Sequence, residues 1–179
     1  MRIFFLVALL FLSSCSLPVG TDTTQSSLIP YDWGQFTIQV PKSWNEAKKQ
    51  DIPLPKNGTV VLAYVSPEIT NGFSNNLLII KEKLTGLMSS KKYSELNHIQ
   101  TTKSYLEYTK LLDSSILFSD GDESKVYGFE ARYNQNTPRK KFLQTSKICT
   151  DTVYLMTVSI SLEKDITKYK EILQSFTCK

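Results

Sequence analysis

Apolar and polar positions follow two rhythms along this chain. Phe36-Thr37-Ile38-Gln39-Val40 alternates with period two between Gly34 and Pro41, which predicts a strand with Phe36, Ile38 and Val40 inward. Residues 60–65 and Leu77-Leu78-Ile79-Ile80 are near-continuous apolar runs, preceded by the turn signals Asn57-Gly58 and Asn71-Gly72. The second run is apolar on both faces, so it calls for cover on both. Residues 115–119, 125–133, 140–148 and 152–162 predict hairpin-linked strands. Tyr127, Phe129, Ala131 and Tyr133 share one face, and Tyr154, Met156, Val158, Ile160 and Leu162 share another.

The second rhythm is helical. Residues 90–112 predict a long first helix, with Ser89 or Ser90 as N-cap and Tyr93, Leu96, Ile99, Leu106 and Leu111 as its apolar stripe. Residues 165–176 predict a closing helix, where Ile166, Tyr169, Ile172, Leu173 and Phe176 recur on one face. The sum is an α+β domain built on an antiparallel sheet of six or seven strands with helices packed on it.

The start of the chain follows neither rhythm. Arg2 precedes an unbroken apolar run from Ile3 to Leu12. As a helix this run spans about 15 Å, half of a hydrocarbon core of roughly 30 Å. It reads as a secretory leader over residues 1–14. Leu12-Ser13-Ser14-Cys15 resembles the bacterial lipobox. That resemblance implies cleavage between Ser14 and Cys15, a diacylglycerol on the Cys15 thiol and an N-acyl lipid on the new amino terminus. Several acyl chains satisfy the need for more than one anchoring signal. Ser16, rather than Asp, resembles sorting onward to an outer membrane where the organism has one, and otherwise to the outer face of the cell membrane. The small, polar residues that follow read as a flexible tether, so that 15–30 carries the lipidated cysteine and tether and 31–179 the domain. Such a tether reaches on the order of 20 Å.

The domain itself resembles the PsbP/DcrB-like superfamily. Phe36-Thr-Ile-Gln-Val-Pro41-Lys-Ser-Trp44 is similar to its F-x-I-x-x-P-x-x-W opening, and Ile172-Leu-Gln-Ser-Phe176 to its closing I-x-x-S-F. Two strands, a long helix and four meandering strands lie between them. The resemblance covers residues 31–178 and implies an α/β/α sandwich, in a superfamily most of whose members bind proteins or have no known activity. Pro41 and Trp44 read as structural residues, Trp44 plugging an edge of the sheet, with stacking on a ligand as the alternative for Trp44.

Composition narrows the chemistry. The 179 residues carry 21 Lys+Arg against 17 Asp+Glu, a mild surplus of +4 that shrinks when Arg2 leaves with the leader. This is no nucleic-acid signature. Of three cysteines, Cys15 is assigned to lipid, leaving Cys149 and Cys178 in an oxidising compartment. The predicted strand and returning helix bring these two toward each other, so a disulfide is expected, with two free thiols as the alternative. A strand over 152–162 runs about 35 Å and the helix returns only about 18 Å, so extended residues must close the remainder.

Candidate catalytic groups are sparse. His98 is the single histidine and reads as a solvated helix residue. Asp120-Gly121-Asp122-Glu123 offers carboxylates to a calcium ion, but without EF-hand spacing, and Asp-Gly is an ordinary hairpin turn. No nucleophile elbow or phosphate-cradling loop is present in the sequence. Lys48-Lys49, Lys91-Lys92 and Arg139-Lys140-Lys141 read as solvated faces or contacts to anionic headgroups. Asn57-Gly58-Thr59 matches a glycosylation sequon that a bacterial lipoprotein rarely uses. Tyr93, Tyr105 and Tyr108 are candidates for an aromatic interaction surface or for core padding. The expectation is a non-catalytic, cofactor-free envelope lipoprotein that touches the bilayer through Cys15 and binds or stabilises an envelope protein. The alternative is a carrier of a small hydrophobic ligand, which requires an apolar cavity between the sheet and the first helix.

Overall fold

The computed structural model describes residues 27–48, 52, 55 and 57–179. Ser14, Cys15, Lys49 and the tether before Ser27 lie outside the described residues. The element order is β1 (Leu28–Asp32), β2 (Phe36–Pro41), β3 (Asn45–Glu46), β4 (Thr59–Thr70), β5 (Phe73–Lys83), α1 (Ser90–Ser104), β6 (Leu106–Leu117), β7 (Glu123–Arg132), β8 (Lys140–Cys149) and β9 (Thr152–Ile160). A 3-10 turn (Ile166–Tyr169) then runs into α2 (Lys170–Gln174) and β10 (Thr177–Cys178).

Seven strands form one antiparallel sheet in the order β3-β4-β5-β9-β8-β7-β6. β1, β2 and β10 form a separate three-stranded sheet. The period-two face of β9 (Tyr154, Met156, Val158, Ile160) is buried with Leu77 and Ile79 of β5 against Phe36, Ile38 and Val40 of β2. Ile166, Ile172, Leu173 and Phe176 of the closing helical segment complete this core. Phe36 stacks on Phe176 at 4.7 Å between centroids, so the first and last motifs of the domain meet directly. Trp44 is buried in the same cluster and packs against Tyr169, a structural role. α1 covers the other face of the large sheet over β7 and β8. The layers make an α/β/α sandwich around the large sheet.

Several sequence expectations need correction. Leu28–Pro30, placed with the tether, belong to β1, because Leu28 to Asp32 pair in register with Pro41 to Thr37. The strand containing Phe36 lies in the small sheet, not the large one. α1 ends at Ser104, and residues 106–112 are strand rather than helix. Tyr105 leaves the helix in an extended conformation and Glu107 takes a positive φ of 53°. β6 then pairs with β7 through two register shifts, which bend this edge strand and discourage edge-to-edge pairing. Its irregular pairing and largely exposed side chains hide the period-two pattern. Asn71-Gly72 does form the β4–β5 hairpin, with φ of 51° and 73°.

The closing helix is also split. Asp165 caps it by accepting from Thr167 N at 3.0 Å, a 3-10 turn follows, and only Lys170–Gln174 are α-helical. Because a 3-10 turn rises more steeply per residue than an α-helix, this segment travels farther back than twelve α-helical residues would. β9 stops at Ile160, which shortens the outward run. Both differences close the distance expected to remain. Cys149 at the end of β8 and Cys178 in β10 form a disulfide with Cα atoms 5.7 Å apart. The bond staples the small sheet to the β8–β9 turn. Closing a separation of 29 residues contributes about 3.5 kcal/mol in the loop-entropy account. Urea unfolding of Cys178→Ser should show that loss, and addition of reductant should destabilise the native protein but not the variant.

Candidate functional site

α1 begins at the N-cap Ser89, whose side chain accepts from Lys92 N at 3.2 Å. Its buried residues are Ser90, Ser94 and Thr101, all polar. The cause lies in the sheet. The last β7–β8 pair is Val126 with Thr145, while β8 continues to pair with β9 as far as Cys149. β8 therefore carries backbone N–H groups beyond Thr145 that β7 does not accept. Ser146 N donates to Ser94 Oγ at 2.9 Å, and Ile148 N donates to Ser90 Oγ at 2.8 Å. Two serines on one helix face thus take the place of a neighbouring strand. Farther along, Asn97 Nδ2 and Thr101 Oγ1 both donate to Gln144 Oε1, at 2.8 and 3.0 Å. Gln144 Nε2 passes the network on to Thr157 Oγ1 of β9 at 3.0 Å.

This reverses the expected helix face. Leu96 and Ile99, assigned to the buried stripe, are 41% and 49% exposed. Leu106 and Leu111 of the same stripe lie on β6 and are exposed. With Leu87 and Met88, which precede the helix, Leu96 and Ile99 are the large apolar side chains exposed on or beside α1.

The other sequence candidates are dispersed. Tyr93 donates from its hydroxyl to Glu82 Oε2 at 3.0 Å, and burial with that carboxylate pushes its phenol well above the ordinary value. Tyr105 packs edge-on to Phe129, Tyr133 and Phe142, and burial pushes it up to about 12. Tyr108 stacks on Phe129. Tyr105 and Tyr108 share one aromatic cluster, whereas Tyr93 stands apart beside β5. His98 is not solvated as expected. Its ring stacks on Tyr127 at 3.7 Å, its Nε2 meets the Tyr108 hydroxyl at 3.3 Å, and burial lowers its pKa.

The acidic cluster is a structural knot. Lys147 is 2% exposed, and its Nζ contacts Asp120 Oδ2 at 2.7 Å and Asp122 Oδ2 at 2.9 Å. Asp122 also accepts from Ser90 Oγ, tying the β6–β7 turn to the first turn of α1. Glu123 accepts from Ser115 Oγ and Lys91 Nζ. Lysines thus already neutralise the carboxylates that might have held calcium. Among the described residues, no group of three or more His, Cys, Asp or Glu side chains is placed to hold a metal ion. The lysine clusters separate too: Lys91 pairs with Glu123, Lys92 with Glu95 and Arg139 with Glu130, while Lys141 donates to Lys164 O. Lys140 is not a solvated residue; it is 7% exposed and lies over the Phe73 ring.

α1 covers only part of its face of the sheet. Beside it runs an open groove of about 510 Å³, lined by Leu78 and Ile80 of β5, Leu155 of β9, Phe142 and Lys140 of β8, and Tyr105. This is the second face of the doubly apolar β5 run, and its cover is incomplete. A larger concavity of about 990 Å³ at the disulfide end is lined by mostly polar and charged residues, among them Lys81, Glu82, Lys83 and Asp151. The sequence reading missed the serine face and the groove. The first had a signal: Ser90, Ser94, Asn97 and Thr101 recur at spacings of four, three and four, a helical stripe of polar residues.

No protein-family model and no curated protein matches the sequence. Solved structures do match. The cyanobacterial PsbP protein CyanoP from Synechocystis superposes with a TM-score of 0.57 at 12% identity, covering 90% of this chain and 99% of its own. The chain has the PsbP-like fold. The Saccharomyces cerevisiae Ran-binding protein Mog1p shares it, with a TM-score of 0.57 at 10% identity over 86% of this chain and 96% of its own. So does the PA94 protein of Pseudomonas aeruginosa, with a TM-score of 0.56 at 10% identity over 85% and 97%. At these identities the likeness extends to the fold and to no residue role. No helix among the described residues is long and apolar enough to cross a membrane.

The lysine knot yields a test. Lys147 is buried, while the Asp120 and Asp122 side chains are 42% and 33% exposed. Asp120→Asn with Asp122→Asn strands a buried ammonium and should cost about 3 kcal/mol, whereas Lys147→Met returns two carboxylates to water and should cost only about 1 kcal/mol. The hydrogen bond from Lys147 holds the Asp120 carboxyl below its usual range. Its stabilisation is therefore whole above the unfolded value of about 3.9 and is lost as pH falls through the lower folded value. Urea melts should show the gap between wild type and the double variant closing below about pH 4.

Proposed function

We propose that this protein is a non-catalytic binding module of the cell envelope, anchored by lipid at Cys15, which engages a protein partner through the outward face of α1. The observation that carries this reading is the inverted helix. α1 spends its polar face on the sheet and leaves Leu96 and Ile99 outward, with Leu87 and Met88 also exposed just ahead of its N-cap. Large apolar side chains left exposed along one element suit a contact with a partner. The fold supports it, since Mog1p, a Ran-binding protein, carries a partner-binding function on the same architecture. The leader-like start and lipobox support an extracytoplasmic, membrane-anchored location, and the Cys149–Cys178 disulfide suits an oxidising compartment. The scattering of His98, the tyrosines and the carboxylates into separate packing roles supports a binding rather than a catalytic reading.

A second reading, a carrier of a small hydrophobic ligand, draws on the groove beside α1. Its volume lies inside the range of roughly 300–1,000 Å³ typical of small-molecule sites.

Two variants test the leading proposal. Cys15→Ser should move the protein from the membrane pellet to the soluble fraction. Leu96→Asp with Ile99→Asp should unfold within about 0.5 kcal/mol of wild type, as exposed substitutions do, yet lose a protein that wild type captures reproducibly by crosslinking in the envelope. Retention of that protein by the double variant overturns the assignment of α1.

A further inference from the structure

Lys140 lines the groove beside α1 and, among the described residues, has no anionic partner. The ion pairs among the described residues use Lys83, Lys91, Lys92, Lys110, Lys125, Lys147, Lys179, Arg132 and Arg139. Among the described residues none pairs with Lys140, although its side chain is more than nine-tenths buried. Its ammonium lies over the face of Phe73, which also lines the groove. Burial lowers its pKa to about 8, so it still carries its proton at neutral pH. Placing a charge in such a site is unfavourable unless something compensates for the lost water, and a ring face does so only in part.

Leu78, Ile80, Leu155, Phe142 and Tyr105 give the groove an apolar stretch, while Asn97, Gln100 and Thr101 of α1 and Gln144 of β8 add polar groups to its lining. One buried cation in a groove with an apolar stretch matches a ligand with one negative charge and a hydrocarbon body. We propose that the groove binds a single-chain acyl carboxylate, a free fatty acid, with its chain along Leu78, Ile80 and Leu155 and its carboxylate paired with the Lys140 ammonium. The inference rests on the carrier reading and gives that reading its ligand class. A diacyl phospholipid fits less well, because the groove offers one cation and the volume of about 510 Å³ is that of a single small ligand.

Equilibrium dialysis of the purified protein with laurate and with dodecanol separates the claims. A charge-assisted contact in a desolvated site makes laurate bind about tenfold or more tighter than dodecanol. Lys140→Met should erase that preference, and Lys140→Arg should restore it. Circular dichroism melts of each variant report folding independently. Equal binding of laurate and dodecanol by wild type overturns the carboxylate assignment and leaves the carrier reading standing. A preference that persists in Lys140→Met overturns the role of Lys140. Binding of neither ligand overturns the proposal and the carrier reading together.

Discussion

The backbone of β8 beyond Thr145 sets the terms for one whole face of this protein. A buried N–H without an acceptor is costly, and β7 does not supply acceptors there. Ser90 and Ser94 do, from a helix rather than a strand. That solution fixes which face of α1 points inward. It places Asn97 and Thr101 over Gln144, and it turns Leu96 and Ile99 outward. The Lys147–Asp122–Ser90 contacts pin the start of the helix to the same place. Packing apolar side chains under α1 would leave the β8 amides unmet, so the polar interface is a requirement of the sheet.

The two faces of the large sheet consequently differ in kind. One is dry: β5 and β9 side chains close on β2, α2 and their flanking aromatics, and the disulfide holds the small sheet there. The other is joined mainly by hydrogen bonds, with a smaller aromatic cluster of Phe129, Ala131 and Phe142 under Tyr105 and Tyr108. Because α1 must sit over β7 and β8, it cannot also cover β5 and β9. Leu78, Ile80 and Leu155 remain half-covered for that reason. The groove and the outward apolar face of α1 are two results of one hydrogen-bonding constraint.

How much of this was readable depends on where the pattern was simple. The period-two strands of β2 and β9, the Asn71-Gly72 hairpin and the opening and closing motifs all follow local rules, and they locate the dry core. The helix face was misread because apolar spacing was sought and polar spacing ignored. A buried polar stripe makes sense only when the acceptor-poor stretch of β8 is known, and that is a property of pairing between distant segments. The first half of β6 carries no strand signal, because its bulges and exposed side chains break the alternation. Lys140 looked like one of three surface cations, since nothing in Arg139-Lys140-Lys141 tells which member reaches across β9 to Phe73. Only the strand order β5-β9-β8 makes that reach possible.

The layer order also separates the first described strand from α1 and the groove. β1 is the first described strand and belongs to the small sheet, on the dry side of the large one. α1 and the groove lie on the opposite side. A membrane attachment made through residues preceding Leu28 therefore starts from the layer that carries neither surface. The disulfide reinforces this division, because it ties β10 of the small sheet to the β8–β9 turn at the point where the chain links the two layers. Force applied at Leu28 would load β1, β2 and that covalent staple before it reached the hydrogen bonds that hold α1 in place.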